Sequence, residues 1–545
     1  MKKLAVMLLA AVMLVSAMGI TSSAQDSAAG IKCGDANGDG EINTKDVSAL
    51  IGYCVESGKN IEMTASDANN DGKISLKDAA TLMKYIAGWK VLLSIDDLEN
   101  CTDIMKKSVL ESKSEYEFAE VGKKNHIYYV SSSEGDDLNS GLSPDEPLET
   151  LETVEYLKLK MGDVILFKRG DEFRGKLPLK TGITYSSYGE GAKPILNGSE
   201  MNYADESLWV ETEYENIYKC KERLNNVGNI VFDFSGVIGS YDEKLGRQRL
   251  KKAESQTVTD LLTADLDFYS DLDTNDLYLY STEGNPGERF SDIEVCFDGA
   301  ILSGNEAGVT IDNLCFMFSG GHGVGCGSSK NLTVKNCVFC WIGGSVLKGF
   351  SGGNTTRYGN AVEIFGSAEG YYVYNNWMYQ IYDTGVTHQY SYDDSVIYMR
   401  DIEYADNLIE YCSWGIEFYN YGREPSCMEN IHVHDNLVRY NGYGWKGVNV
   451  ASVSGAGLPK IVNDFVIEDN IFAYANGYMI FHYDANDPED CNSSLIYRHN
   501  TYIQNYGMPF VVTLRANCVF DENAEAFLRD MMHEENPRVL FADAK

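Results

Sequence analysis

Three things are scarce in this chain: basic residues, cysteines spaced as a disulfide framework, and long hydrophobic runs. The 545 residues carry 45 Lys and Arg against 81 Asp and Glu, a formal net charge of −36. That deficit excludes a nucleic-acid binder, whose phosphate partners need Lys and Arg. It also weighs against a polyanionic substrate unless a cation bridges the two. The 13 cysteines are odd in number and follow no framework spacing, so some disulfides or none are compatible with them. Several, Cys315 and Cys337 among them, fall in apolar stripes where buried thiols are expected. After the first residues no segment is long and apolar enough to cross a bilayer.

The first residues are of another kind. Lys2 and Lys3 precede an apolar run from Leu4 to Ile20, and "TSSAQ" follows with small residues at Ser22 and Ala24. A charged start, an apolar centre and a small-residue cleavage site predict a signal peptide over residues 1–24. The mature protein is then expected to be secreted and soluble. Its length calls for more than one domain, and the 44% hydrophobic content supports a large core.

Two acidic stretches repeat near the start: "GDANGDGEINTKD" and "SDANNDGKISLKD". A twelve-residue calcium loop takes oxygen ligands at positions 1, 3, 5, 7 and 12 and needs Gly at 6 for a sharp bend. In the first copy these places hold Asp35, Asn37, Asp39, Gly40, Glu41 (through its carbonyl) and Asp46. In the second they hold Asp67, Asn69, Asp71, Gly72, Lys73 (likewise) and Asp78. Position 8 is Ile42 and Ile74, and each loop runs into a helical pattern. Position 12 is Asp rather than Glu, and no helix precedes the loops. With the duplication, this resembles the type I dockerin module over residues 31–90. The resemblance implies a small α-helical domain that folds on two Ca2+ ions and docks into a cohesin domain of a scaffold protein or cell surface. It further implies that loop positions 10 and 11 carry the choice of cohesin; these are Thr44, Lys45, Leu76 and Lys77. The two faces differ, which argues against symmetric docking. A dockerin's cargo is usually a carbohydrate-active enzyme, so the resemblance also points to a cellulosome.

Residues 91–124 are charged and weakly periodic, and read as a linker. From 125 to 200 the pattern predicts an N-terminal cap and first coils. "SPDEPLETLETVEYLKL" is helix-like with Ser143-Pro144 as its start, and "DVILFKRGDEFRG" reads as a buried strand pair. Residues 201–300 interrupt the pattern and predict an inserted β-rich subdomain. From 301 to 520 the segments "VTIDNLCF", "LTVKNCVF", "YYVYNNWM", "IEYADNLI", "IHVHDNLV", "FVIEDNIF" and "LIYRHNTY" recur. One polar column holds Asn313, Asn336, Asn375, Asp406, Asp435, Asp469 and His499; a second holds Asn376, Asn407, Asn436, Asn470 and Asn500. Short strands, a turn and a Gly-led strand at this period predict a coiled parallel sheet, with Asn stacked as a ladder at one turn position. The pattern resembles right-handed parallel β-helix proteins, among them glycoside hydrolases and polysaccharide lyases. The fold expected is therefore mainly β. Residues 521–545 read as a C-terminal tail or cap.

Hydrolysing a glycosidic bond needs two carboxyls, one acid and one base or nucleophile. Aligning the Gly-led strands puts Glu363, Thr387 and Glu417 at equivalent places on three successive coils. Glu363 and Glu417 then lie about 10 Å apart, two strand spacings, as in an inverting pair. Asp383 opens the middle strand; paired with either Glu across one coil it would give a retaining site. Otherwise it serves its turn. His388 follows Thr387 and reads as a structural or subsite hydrogen-bonder sooner than a base. Trp377, Tyr382, Tyr390, Trp414 and Tyr419, with Tyr379, Tyr392 and Trp445, are candidate platforms for pyranose rings or else packing. A lyase would need a basic residue beside a uronate, from Lys348, Arg357, Arg400 or Arg423, and usually calcium. A non-catalytic binding or structural role is the third reading. The negative charge favours a neutral hemicellulose such as xylan over pectin.

Overall fold

The recurring segments are strands because apolar residues alternate along them, and alternate side chains of a strand point to opposite faces. In the computed structural model, which describes residues 32–543 apart from 56–58, 117–120, 242–243, 351–354, 447–449, 484–494 and 514–515, one coil shows the scheme. Ala368–Tyr374, Trp377–Ile381 and Thr384–Tyr390 each enter a different sheet. The next coil, Tyr398–Ala405, Leu408–Glu410 and Trp414–Asn420, pairs with it in parallel register. Repetition builds three ten-stranded sheets around one core, a right-handed parallel β-helix. An antiparallel pair, Pro509–Val512 with Asn517–Val519, ends the third sheet. Inward residues such as Tyr371, Val373, Ile402, Tyr404, Ile431 and Val433 are fully buried. The leader expected over residues 1–24 lies outside the described residues. Among the described residues no helix is long and apolar enough to cross a membrane.

The two polar columns do different work. Every member of the first, from Asn313 to His499, has φ between 51 and 58°. That left-handed corner is open to Asn and Asp, whose short polar side chains tolerate it. The second column is the ladder. The backbone N–H and Nδ2 of Asn376, Asn407, Asn436 and Asn470 each donate to Oδ1 of the Asn on the next coil, at 2.9–3.1 Å. Glu534 ends it: Oε1 accepts from Asn500 N and Nδ2 at 3.2 and 2.9 Å, and Oε2 accepts from Tyr502 at 2.8 Å. The C-terminal stretch is thus built in, with a helix Ala524–Met531 and a strand Arg538–Phe541 that extends the second sheet.

Several local expectations need correction. The helix expected from Ser143 begins at Leu151, capped by Thr150, whose hydroxyl accepts from Thr153 N. Pro147 explains the delay, since a helix begun at 143 would have to carry it inside. Val164–Lys168 and Glu172–Arg174 are strands, but they turn a corner into different sheets and do not pair. Residues 91–124, expected as a linker, contain a helix, Leu98–Glu111. Its stripe of Leu98, Cys101, Met105 and Val109 packs over the second sheet against Met317, Trp377, Tyr379, Leu408 and Leu437. Beneath it Glu410 is wholly buried, 3.0 Å from Lys106 and 2.8 Å from Arg439.

Between Ile195–Asn197 and Leu302–Ser303 the chain leaves the coil and forms a five-stranded and a three-stranded sheet. This insertion therefore branches from the corner between the second and third sheets. The described cysteines are free thiols, and Cys315 and Cys337 are buried. At the other end, Thr44–Val55 and Leu76–Ile86 pack through Val47, Leu50, Ala79 and Leu82. Leu93 joins that small core while its neighbour Leu92 joins the β-helix side. Arg538 Nη1 donates to the Leu92 carbonyl at 2.7 Å, and Lys90 lies 2.9 Å from Asp406.

Candidate active site

The third sheet carries the acids. On its strands Val362, Ile364, Val386, Ile416 and Phe418 are buried in the core. The residues between them face outward, and register pairs Glu363 with Thr387 and Thr387 with Glu417. The row expected from the sequence is formed, with Glu363 and Glu417 two strands, about 10 Å, apart.

The three carboxyls live in unlike surroundings. Glu363 is tied down: Gln389 Nε2 donates to Oε1 at 2.9 Å, and Asn360 Nδ2 donates to Oε2 at 2.8 Å. His322 Nδ1 lies 2.9 Å from the same Oε2. Burial pushes the Glu363 carboxyl up, but His322 and the two amides outweigh it and hold it below the usual range. Glu417 goes the other way. Burial first, then Asp383, push its pKa to about 8, against the Thr384 hydroxyl and Lys446. Part of the Glu417 side chain keeps contact with solvent, but its carboxyl is desolvated and among the described residues accepts only from Thr384 Oγ1, at 3.2 Å. Asp383 stands beside this acid and is paired with Lys446 Nζ at 3.2 Å.

Around the row sit aromatic and charged groups. Tyr382 meets Trp445 edge to face at 5.0 Å, with Arg357 4.2 Å over its ring and Lys446 4.8 Å over it. Tyr419 lies two residues beyond Glu417 and accepts from Ser391 Oγ at 3.3 Å. Tyr390 forms a patch with Phe365 and Tyr392 at 5.4 and 5.7 Å. Trp414 meets Phe481 at 5.8 Å. At the insertion's end Asp298 accepts from Gly299 N at 2.9 Å, Asn226 Nδ2 at 3.1 Å and the Tyr358 hydroxyl.

Three expected residues are not part of this face. His388 points into the core, its Nδ1 2.7 Å from the Tyr404 hydroxyl and its ring stacked on Phe418. Burial pulls its pKa down to about 3, so it stays neutral and cannot meet a substrate. Strand alternation sets this: with Thr387 outward, His388 must be inward. Trp377 lies on the second sheet under the helix Leu98–Glu111, where Nε1 donates to Glu410 Oε1 at 2.9 Å. Tyr379 is buried beside it and its hydroxyl accepts from Gly239 N at 2.7 Å. Of the basic candidates, Lys348 donates to Asn225 at 3.1 Å and Arg400 is paired with Glu429 at 2.7 Å on the first sheet. Arg357 donates to the carbonyls of Gly344 and Gly228 at 2.6 and 2.7 Å, and Arg423 is exposed. No base is thus free at the row among these. The sequence reading missed His322 and Lys446, which reach the site from a glycine-rich corner, "SGGHGVG", and a loop without strand periodicity.

The acidic loops fold alike. Asp35 accepts from Asp39 N at 3.1 Å and Gly40 N at 2.9 Å, and Asp46 from Asn37 N at 3.1 Å and Asn43 N at 2.8 Å. Asp67 and Asp78 make the matching bonds to Asp71, Gly72, Asn69 and Ser75. Burial and the neighbouring Asp78 raise Asp67 to about 6. Lys45 and Lys77 reach the outer Asp39 and Asp71 at 3.0 and 3.6 Å, but the buried carboxylates converging in each loop are a donor set for a hard cation, so the residues fit one. Thr44, Lys45 and Lys77 are exposed on the two helix starts and Leu76 is half-buried.

These features define a parallel β-helix protein carrying a dockerin-type module. Residues 33–87 match the type I dockerin domain family. No curated protein matches the chain. Among solved structures it is similar to XylC in complex with xylose, with 11% identity over 71% of this chain and 69% of that one and a TM-score of 0.38. It is also similar to the GH136 lacto-N-biosidase from Eubacterium ramulus, with 14% identity over 86% and 74% and a TM-score of 0.38. A structure described as a glycoside hydrolase shows 10% identity over 76% and 96%, with a TM-score of 0.40. Likeness at this level carries no activity across, and the architecture rests on the strand register itself.

Proposed function

We propose that the protein is a secreted, scaffold-docked glycoside hydrolase acting on a neutral plant cell-wall polysaccharide, with Glu417 as general acid and Asp383 as its carboxylate partner. The observation that supports this most is the contrast between two neighbouring acids. Burial and a like charge keep Glu417 protonated at neutral pH, while Asp383 has the Lys446 ammonium beside it. A carboxyl held protonated beside a carboxylate paired with a cation divides acid from base. Glu417 then gives its proton to the glycosidic oxygen as the bond breaks. Asp383 attacks the anomeric carbon or takes a proton from water that does so. Trp445 and Tyr419, both partly exposed, offer surfaces to the sugar rings beside them.

The dockerin module supplies recruitment. Asp35, Asn37, Asp39, the Glu41 carbonyl and Asp46 would hold one Ca2+; Asp67, Asn69, Asp71, the Lys73 carbonyl and Asp78 would hold a second. Bound calcium supplies the charge that lets these carboxylates be buried together. The helix starts, with Thr44, Lys45, Leu76 and Lys77, then face a cohesin domain.

The test is a substrate panel of xylan, arabinoxylan, xyloglucan, mannan and polygalacturonate, read for reducing ends and for ultraviolet absorbance together. Reducing ends without absorbance, lost in Glu417→Gln and Asp383→Asn, are expected. Absorbance from unsaturated products would mean a lyase. Silence on every substrate would favour a binding role. Proton NMR of the first-formed anomer assigns retention or inversion.

A further inference from the structure

The row of outward positions does not stop at Glu363. On the preceding coil its register partner is Gly325. A Cβ placed there would lie 3.0 Å from Cδ2 of His322 and 3.3 Å from its Cβ. The imidazole therefore occupies the space that a side chain at 325 would have filled. It arrives from the corner before the strand and extends the row Glu363–Thr387–Glu417 by one coil.

The ring is held on one side and open on the other. Nδ1 faces Glu363 Oε2 at 2.9 Å and Asn360 N at 3.0 Å. Beside the ring stands Tyr358, at 5.1 Å between centroids, which is bonded to Asp298. Nε2 has no partner among the described residues and is not sealed from solvent. A ring that donates to the carboxylate while charged carries a proton on Nε2. So does a ring that accepts the Asn360 N–H. The charged groups facing it are Glu363, Asp383 and Asp298, with the Tyr358 phenol. Burial pulls the imidazole's pKa down, but Glu363 and the two aspartates outweigh it, and the net shift is upward from 6.5. The carboxylate of Glu363 is meanwhile spoken for by two amides and this ring.

We propose that His322 is a substrate-contacting residue that donates from Nε2 to a sugar hydroxyl beside the scissile bond, and that Glu363 is its positioning residue and not one of the two reacting carboxyls. This rests on the reading of Glu417 and Asp383 as the reacting pair. It adds a third function to the row and takes Glu363 out of the chemistry. Gly325 is the enabling position, because a Cβ there would crowd the ring at 3.0 Å and Ala300 at 3.2 Å and push the imidazole out of its place.

The experiment uses the full chain with calcium. Histidine-selective NMR follows the titration of His322 in the wild type and in Glu363→Gln, with His322→Gln for assignment. The expected result is a wild-type pKa above 6.5 that falls by a unit or more when Glu363 loses its charge, about the size of a close opposite charge's effect. Kinetics on the cleaved substrate accompany it. His322→Gln should lower kcat/KM about ten- to a hundredfold, the worth of one hydrogen bond from a charged donor. Glu363→Gln should do the same, and the double variant should be no worse than either. Gly325→Ala should reproduce the kinetic loss. Undiminished kcat/KM in His322→Gln overturns the proposal. So does azide rescue of Glu363→Ala, which would make Glu363 a reacting carboxyl. Undiminished activity in Asp383→Asn and Glu417→Gln would instead sink the underlying reading, and these outcomes are separable.

Discussion

Starting the chain at residue 125, where the sequence alone would cut off the β-helix, should destabilise it severely. The cut removes the helix Leu98–Glu111, whose Leu98, Cys101, Met105 and Val109 are at most 4% exposed. Full burial of a Leu, Met or Val side chain contributes about 1.5–3 kcal/mol. The three together give roughly 5–9 kcal/mol, an upper value because the unfolded chain is already partly collapsed. Whole domains are stable by only about 5–15 kcal/mol. The same cut strips Lys106 from Glu410, which is wholly buried, and uncovers Trp377, Tyr379 and Leu408. The comparison is between a chain starting at 91 and one starting at 125, unfolded in urea and followed by tryptophan fluorescence. The shorter chain should unfold at much lower urea or collect as aggregates, while the longer one keeps a cooperative transition. Equal midpoints and equal slopes would refute the reasoning, because the helix would then be contributing no net burial.

Glu534 should make stability pH-dependent. Its folded pKa of about 7 lies above the ordinary 4.5. Its contribution is therefore fully present below about pH 4.5 and is lost as pH rises through 7, by roughly 3 kcal/mol. The difference in unfolding free energy between wild type and Glu534→Gln, from urea titrations at pH 5 and pH 8, should change by about 2–3 kcal/mol. Asn407→Ala should cost about 3 kcal/mol, since it strands the Asn376 amide groups that donate to it; thermal unfolding reads this. Hydrolysis should decline as pH rises past about 8, where Glu417 gives up its proton, and a kcat profile flat to pH 10 would count against Glu417 as the acid. Chelation with EDTA should abolish capture by immobilised cohesin while leaving polysaccharide cleavage intact.

How far the sequence could be read depended on whether a position was governed by local rules. The acidic loops were legible because each ligand place is fixed within twelve residues of chain. The outward row Glu363–Thr387–Glu417 was legible because a Gly-led strand fixes alternation. By the same rule His388 could have been placed inside, had its parity been counted from Thr387. Trp377 follows the ladder Asn directly, and that offset puts it on the second sheet, away from the acids. His322 and Lys446 obey no repeat: they belong to corners between strands, and only the assembled coils show what those corners reach. The helix at 98–111 was hidden because its apolar stripe is one residue wide and flanked by charges. The division between turn column and ladder column is also a three-dimensional fact. Both hold Asn, but one is chosen for its backbone and the other for its amide.

Leu92 and Leu93 are adjacent in the chain and belong to two different cores. No slack therefore separates the anchoring module from the body that carries the acids. A partner that grips the module would set the heading of the row Glu363–Thr387–Glu417 as well as its position. The β-helix cannot swing on a leash of its own relative to the module. On the proposed function, any sweeping motion would have to come from the partner's side, and the direction from which a polysaccharide strand approaches would be fixed once the module is seated.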